Sequence, residues 1–281
     1  CLFILLWGTL VYDPMCHMVW AVGGIIRNMG ALDFAGGTVI HVTSGFSALT
    51  AAILIGKRKG YGTLSLRPHN IPYVCLGGSF LWMGWFGFNA GAGLSVSGVM
   101  TQALANTAIA SCTAGLVWII LEEFIHKKIT ALGLMTGILA GLVGITPGAG
   151  FVDTNAAFVI GVTTPLICFF FISYVKSYFG YDDSLDAFGC HGMGGVWGAL
   201  MTGVFCTKSI NSAGADGLLY GNPAQMIPQI TGIVVGMLVA VIMTTIILKV
   251  LACFMTVRAT PSEEAQGLDL IDHGERAYNK L

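Results

Sequence analysis

The sequence contains few charged residues. Asp, Glu, Lys and Arg together make up 10% of the 281 residues, against about 25% in soluble domains. Residues 68–121 contain none of the four, and apolar residues make up 55% of the chain. The formal net charge is −1, so no overall basic field attracts nucleic acid. This composition excludes an ordinary soluble domain and predicts an all-α, polytopic integral membrane protein.

Paired cysteines are also absent. None of the eight cysteines forms a CxxC motif, and most lie inside apolar segments. Structural zinc and a disulfide framework are therefore not expected, and the cysteines are interpreted as small apolar residues of helices. The chain begins at Cys1, inside an apolar run with no basic region or cleavage site before it, so we do not expect this run to be a signal peptide. We expect that the beginning of the protein is missing from this sequence.

The apolar runs predict about eight membrane-spanning segments, since a spanning helix needs about 20 mostly apolar residues. The predicted segments are 1–11, 33–56, 71–96, 101–121, 130–149, 155–175, 187–206 and 224–254. A loop is predicted from Tyr12 to Leu32, and a charged hairpin connection at 121–128. The sequence predicts a transmembrane domain over 1–256 and a C-terminal tail over 257–281.

The positive charges indicate the orientation of these segments. Alternating sides place Arg27 and Lys208 on one side of the membrane. The other side receives the tail and most of the basic residues: Lys57, Arg58, Lys59, Arg67, Lys127, Lys128, Lys176 and Lys249. Because cytoplasmic loops carry an excess of Lys and Arg, the sequence predicts that this second side and the C-terminus are cytoplasmic.

Two histidines lie in similar settings far apart in the chain. His41 follows Asp33 and a run of small residues, and His191 follows Asp186 in a looser version of the same pattern. At 1.5 Å per residue, His41 lies about 12 Å along a helix from Asp33, near the membrane midplane. Each Asp is predicted to cap a helix start.

For either histidine alone, an interhelical hydrogen bond is a sufficient explanation. Two histidines in repeated settings favour a polar pathway instead, with both imidazoles neutral and able to relay a proton. A membrane metal site is a weaker alternative, because neither carboxylate lies at ligand spacing from its histidine.

Aromatic residues precede a small-residue segment at Asn89–Ala92. Trp82, Trp85 and Phe88 form this cluster with Phe86. Aromatic faces attract small cations by up to about 2 kcal/mol when desolvated. For Trp82 and Trp85 we favour the alternative, an aromatic belt at the membrane interface.

Four stretches of the sequence resemble the signatures of the ammonium transporter family (Amt/Mep/Rh), in its bacterial Amt branch. The stretches are 33–41 (DFAGGTVIH), 85–91 (WFGFNAG), 186–192 (DAFGCHG) and the tail from Gly267 to Tyr278. The resemblance covers essentially the whole chain in family order. It implies an eleven-helix, inverted-repeat fold of homotrimers with one pore in each subunit, of which about eight helices are present here.

The resemblance also implies residue roles. His41 and His191 would be the twin pore histidines, Trp20 the outer aromatic residue of an ammonium recruitment site and Phe88 one of two gate phenylalanines. Asp33 and Asp186 would be structural supports. Ammonium would be captured outside, deprotonated near the gate and passed as ammonia along the histidines, with net charge movement.

Further expectations concern partners. The resemblance implies a non-enzymatic transporter without cofactor or metal, embedded in a lipid bilayer. Ammonium or ammonia is the expected substrate, with methylammonium as a second candidate. The tail resembles the segment that responds to PII-type signalling proteins at the cytoplasmic face, and nucleic acid is not an expected partner.

Two departures from the family pattern stand out. Ala92 occupies the position where many members have a Ser whose hydroxyl helps to hold the cation, and its loss weakens recruitment by about 1–3 kcal/mol at most. The family's first three helices and part of the fourth are missing. The missing helices leave a non-conducting truncated relative as one alternative to transport. A second alternative is an ammonium sensor with little flux, since some relatives bind ammonium and signal without substantial transport.

Overall fold

The computed structural model describes residues 1–278, and this part of the chain is helical without a β-strand. We label the principal helices α1 to α10. Their bounds are 2–20 for α1, Gly37–Ile55 for α2, Ile71–Gly91 for α3, Gly98–His126 for α4, Ala131–Ile145 for α5, Thr154–Phe179 for α6, 188–205 for α7, Met226–Ala252 for α8, Pro261–Gln266 for α9 and Leu268–His273 for α10. A single helical turn, Ile25–Asn28, follows α1, and two 3₁₀ turns, Leu218–Tyr220 and Pro223–Gln225, precede α8.

Six helical segments of the described residues are long and apolar enough to cross a membrane: Leu2–Asn28, Gly37–Ile55, Ile71–Gly91, Gly98–His126, Thr154–Phe179 and Pro223–Ala252. The apolar α5, Ala131–Ile145, is shorter, and α7 is not among these six segments. With these two helices added, the segments match the eight predicted ones in chain order. Large apolar side chains such as Phe80 and Met83 are exposed on α3. Such a surface fits a lipid environment, and the fold is that of a multi-pass membrane protein.

The prediction for the first segment was wrong. A loop was expected from Tyr12, but α1 extends to Trp20, with Pro14 inside it. A π-helical turn, Gly8–Tyr12, lies directly before this proline. Because proline lacks an N–H group and crowds the carbonyl four residues back, a local change to wider turns accommodates it without ending the helix.

The charged hairpin predicted at 121–128 was also wrong, since α4 extends to His126. Glu122 lies inside this helix and is buried. Its carboxylate accepts hydrogen bonds from the Thr130 N–H (2.8 Å) and the Thr130 hydroxyl (2.9 Å), and Gly133 leaves room for it. A carboxylate with such partners can be buried in a helix. The two adjacent glutamates, Glu122 and Glu123, therefore did not mark the end of the helix.

Helices α2 and α7 cross each other in opposite directions. The first part of α2 contacts the later part of α7, and the first part of α7 contacts the later part of α2. Their ends are joined by an ion pair between Arg58, after α2, and Asp182, before α7, at 2.6 Å. This antiparallel pair carries both histidines.

The C-terminal tail packs on the end of α2. Arg258 donates hydrogen bonds to the carbonyls of Ile55 and Lys57 and forms an ion pair with Glu264 at 2.7 Å. The first tail helix, α9, begins with a capping box between Thr260 and Glu263. The end of the predicted tail, 279–281, lies outside the described residues.

Candidate functional site

The two histidines meet where α2 and α7 cross. The Nδ1 atoms of His41 and His191 are 3.3 Å apart, and the ring centroids are 5.3 Å apart. A hydrogen bond between two Nδ1 atoms requires one ring to carry its proton there and the other to present its lone pair. The two neutral imidazoles can therefore share this hydrogen bond. To pass a proton on, one ring must take up a proton and the other must release one.

Two glycines allow the helices to come this close. A side chain on Gly45 would overlap the backbone of Gly192, and one on Gly195 would lie 2.9 Å from the Gly37 carbonyl oxygen and from Cβ of His41. Gly45 is four residues after His41, and Gly195 is four residues after His191. Each glycine thus lies one helical turn beyond its own histidine and packs against the segment that carries the other.

Both histidines lie in π-helical segments at the start of their helices. His41 belongs to Gly37–Val42 and His191 to Phe188–Gly192. Such segments widen the helix locally and occur often at functional sites. Sequence periodicity did not reveal them, because an apolar run of this length is compatible with either type of turn.

The predicted cap at Asp33 is present. Its two carboxylate oxygens accept hydrogen bonds from the backbone N–H groups of Gly36, Gly37, Thr38 and Val39, at 2.7 to 3.0 Å. The side chain is buried, and the carboxylate satisfies free N–H groups at the helix start. The cap holds the backbone from which His41 projects.

The predicted cap at Asp186 was wrong. Asp183 instead accepts the hydrogen bond from the Phe188 N–H, at 2.7 Å. Asp186 has a left-handed backbone (φ +55°) and pairs with Lys176 at 2.6 Å. The turn before α7 therefore directs the earlier carboxylate to the helix start, a choice that sequence spacing alone did not reveal.

Two clefts lie on either side of Phe88. The inner cleft, of about 750 Å³, is lined by His41, His191 and Trp85 among mostly apolar residues. The outer cleft, of about 980 Å³, is more polar and is lined by Trp20, Asp33 and Ala92 among others. Phe88 and Ile40 line both clefts and therefore stand between them.

The interpretation of Trp85 as part of an interfacial belt was wrong. Trp85 is buried, stacks on the His41 ring at a centroid distance of 5.2 Å and donates a hydrogen bond to the Thr146 hydroxyl (2.9 Å). Trp82 is half-buried against the same core and donates to the Ser111 hydroxyl (2.9 Å). Both indole N–H groups find partners on neighbouring helices, so neither needs interfacial water.

Trp20 ends α1 at the mouth of the outer cleft. Its indole N–H donates to the carbonyl of Asp33 at 2.7 Å, and its own carbonyl accepts a hydrogen bond from Arg27. Ala92 lines the same cleft and supplies no hydroxyl. Residues that the sequence associated with an outer site, Trp20, Asp33 and Ala92, thus surround one space together with Phe88.

The lining of the inner cleft is mostly apolar and contains the histidine pair. His41 is buried, and its Nε2 has no hydrogen-bond partner among residues 1–278. In the described part of the chain, no three His, Cys, Asp or Glu residues are grouped as a metal site requires. The arrangement suits a small polar molecule more than a cation.

Comparison with known proteins gives one consistent family. The sequence profile of the Ammonium Transporter Family matches residues 1–278. The chain is 50% identical to an ammonium transporter of Bacillus subtilis over 99% of its own length and 68% of that relative, and 46% identical to an ammonium transporter of Aquifex aeolicus over 99% and 64%. It resembles the crystal structure of Saccharomyces cerevisiae Mep2 with a TM-score of 0.86 and 34% identity, covering 94% of this chain and 62% of Mep2. The chain thus spans about two thirds of the length of these relatives.

Proposed function

Because the chain belongs to the Ammonium Transporter Family, a family of transporters and not of enzymes, we propose that the complete protein conducts ammonium nitrogen across the membrane. The outer cleft captures the ammonium ion, the ion loses its proton near Phe88, and ammonia moves along His41 and His191. The proton crosses as well, through the histidine pair, so that transport moves net charge.

The outer cleft supports the capture step. The aromatic face of Trp20 offers a desolvated cation about 2 kcal/mol of attraction. Its indole ring is held by the Asp33 carbonyl, so little conformational entropy is lost when the ion binds. Because Ala92 supplies no hydroxyl, capture here depends more on Trp20 than it does where a serine takes part.

The inner cleft supports the conduction step. A bare cation is costly in an apolar environment, so the site favours neutral ammonia beyond Phe88. The one observation that carries the proposal is the 3.3 Å contact between the histidine Nδ1 atoms in a cleft that shares Phe88 with the outer one. It supports an apolar path for ammonia with a proton carrier at the same point.

The test is the current evoked by an ammonium pulse on proteoliposomes that hold the complete protein. We expect an ammonium-dependent current in the wild type. Changing both His41 and His191 to Ala removes this current or lets K⁺ pass, because the apolar barrier and the proton carrier are altered together. The matched control is His126→Ala, since His126 packs on Phe169 outside both clefts. An absent wild-type current, or unchanged selectivity in the double variant, contradicts the proposal.

Family membership also supports a proposal for assembly and partners. We propose a homotrimer in the lipid bilayer, with the C-terminus cytoplasmic and the tail facing a PII-type protein. The tail already packs on the loop after α2, since Arg258 donates to the Lys57 carbonyl and Glu264 accepts from the Lys59 N–H. Mass measurement of the purified complex tests the trimer. Labelling of a cysteine introduced into the tail, carried out in sealed cells, tests the orientation.

A further inference from the structure

Gln229, in the first turn of α8, uses its whole carboxamide to hold another part of the chain. Its Oε1 accepts a hydrogen bond from the Leu32 N–H at 2.5 Å, and its Nε2 donates to the Leu32 carbonyl at 3.0 Å. The same Nε2 donates to the carbonyl of Ala199 in α7, also at 3.0 Å. The side chain is buried, so these bonds replace every contact with water that it would otherwise make.

The segment held in this way leads directly into the outer cleft. Leu32 precedes Asp33, whose carboxylate caps the helix of His41 and whose carbonyl accepts the indole N–H of Trp20. This segment is not helical between α1 and α2, so its conformation depends on contacts with neighbours. Gln229 forms hydrogen bonds with both the N–H and the carbonyl of Leu32, as an adjacent β-strand would. These bonds fix the position of Leu32 relative to α7.

We propose that Gln229 is a positioning residue of the outer cleft, which sets the location of Trp20 and Asp33 for ion capture without touching the ion. The inference rests on the proposed transport function for its kinetic consequence, but not for its structural one. A second glutamine supports the same arrangement, since Gln225 donates to the carbonyl of Gly30 at 2.8 Å. Two side chains, one from the 3₁₀ turn before α8 and one from its first turn, thus hold successive points of the segment.

The first test is kinetic, in the complete protein in proteoliposomes. Gln229→Met retains the length of the side chain and removes all three hydrogen bonds. We expect the half-saturating ammonium concentration to rise about tenfold, which corresponds to a loss of about 1.4 kcal/mol of binding free energy. The maximal current should stay within about twofold of the wild-type value. This combination indicates that only the initial binding of ammonium is weakened. Gln229→Glu with a protonated carboxyl keeps the acceptor for the Leu32 N–H and one of the two donors, so it gives a smaller rise. The control is Thr231→Val, because the Thr231 hydroxyl bonds only to its own helix.

The second test does not depend on transport. The protein is labelled with 5-fluorotryptophan, and the ¹⁹F resonance of Trp20 is assigned with Trp20→Phe. In Gln229→Met this resonance shifts or broadens, whereas that of Trp7, which donates to Ser47, remains in place. Thr231→Val changes neither resonance.

The two tests separate the possible failures. An unmoved Trp20 resonance in Gln229→Met overturns the positioning role, and so does a loss of maximal current without a change in half-saturation. If the wild type carries no ammonium current but the Trp20 resonance responds to Gln229→Met, the transport proposal fails and the structural role of Gln229 stands. If Gln229→Met does not fold, Gln229→Glu is used in its place. An unmoved Trp20 resonance in Gln229→Glu then overturns the inference.

Discussion

Gly45 has no room for a side chain because the backbone of Gly192 occupies that space. The crossing of α2 and α7 at this point brings the Nδ1 atoms of His41 and His191 to 3.3 Å. The equivalent contact of Gly195 with the segment that carries His41 makes the arrangement reciprocal. The distance between the histidines is therefore a consequence of two glycines that bear no chemistry themselves.

Adding one methyl group at this crossing should separate the histidines. We expect Gly45→Ala to lower the free energy of unfolding by about 1–3 kcal/mol, the usual cost of overpacking, and to reduce ammonium current in the complete protein by more than tenfold. Thermal unfolding in detergent and the pulse-evoked current measure the two effects.

Gly98→Ala is the matched control for this substitution. Gly98 begins α4 and has open space where its side chain would stand, so stability and current should not fall. A Gly45→Ala variant with normal stability and current would show that the close crossing is not required.

The carboxylate of Asp33 should contribute strongly to stability. Asparagine at this position turns an N–H₂ group toward some of the four backbone donors, which loses charge-assisted hydrogen bonds and leaves buried N–H groups unpaired. We expect Asp33→Asn to lower the free energy of unfolding by about 1.5–3 kcal/mol or more, as measured by denaturant or thermal unfolding.

The comparison for Asp33 is Asp153→Asn at the start of α6. Asp153 accepts one backbone N–H, that of Ala156 at 2.8 Å, and asparagine is an equally good N-cap. The midpoint of unfolding should therefore stay within experimental error in Asp153→Asn. Equal losses in the two variants would contradict the special role of Asp33.

The stabilisation that the Arg58–Asp182 ion pair provides should be lost at low pH. The Arg58 guanidinium holds the pKa of the Asp182 carboxyl below its usual value of 3.8. A lowered pKa means that the stabilising effect is complete above the unfolded-state value and is lost as the pH falls through the folded-state value. The stability difference between wild type and Asp182→Asn should be constant between pH 5 and 8 and shrink below about pH 4.

The size of that difference is modest because the Arg58 side chain is 46% exposed. Double-mutant cycles with Arg58→Ala and Asp182→Ala should give a coupling of about 0.5–2 kcal/mol. A coupling near zero, or a difference that grows at low pH, would show that the pair does not link the ends of α2 and α7.

Arg258 should anchor the tail. Its guanidinium bonds to the carbonyls of Ile55 and Lys57 and pairs with Glu264. Replacement by Ala removes all of these contacts and so lowers the free energy needed for local opening of the tail. The amide hydrogens of residues 261–273 should therefore exchange several-fold faster. Hydrogen exchange with mass spectrometry measures this change.

Gln266→Ala provides the comparison for the tail, since the Gln266 side chain bonds only to Ser262 within its own helix. Its exchange should match the wild type. Equal exchange in Arg258→Ala and wild type would mean that other contacts hold the tail.

The sequence by itself determined the features that depend on local chemistry. Low charge and long apolar runs require a membrane environment, a carboxylate before a run of small residues caps a helix, and Thr260 with Glu263 forms a capping box. The repeated setting of His41 and His191 identified both residues as candidates. The glycine four residues after each histidine was also visible, but its meaning was not.

Only the tertiary structure decided the features that depend on which helix faces meet. The antiparallel crossing brings Gly45 to Gly192, places Trp85 on His41, and lets Asp183 instead of Asp186 cap α7. Glu122 is buried because Thr130 supplies its hydrogen bonds, and Leu32 is held by Gln229 from far along the chain. These contacts join residues distant in sequence, and the free energy of such contacts depends on packing that periodicity and capping patterns do not encode.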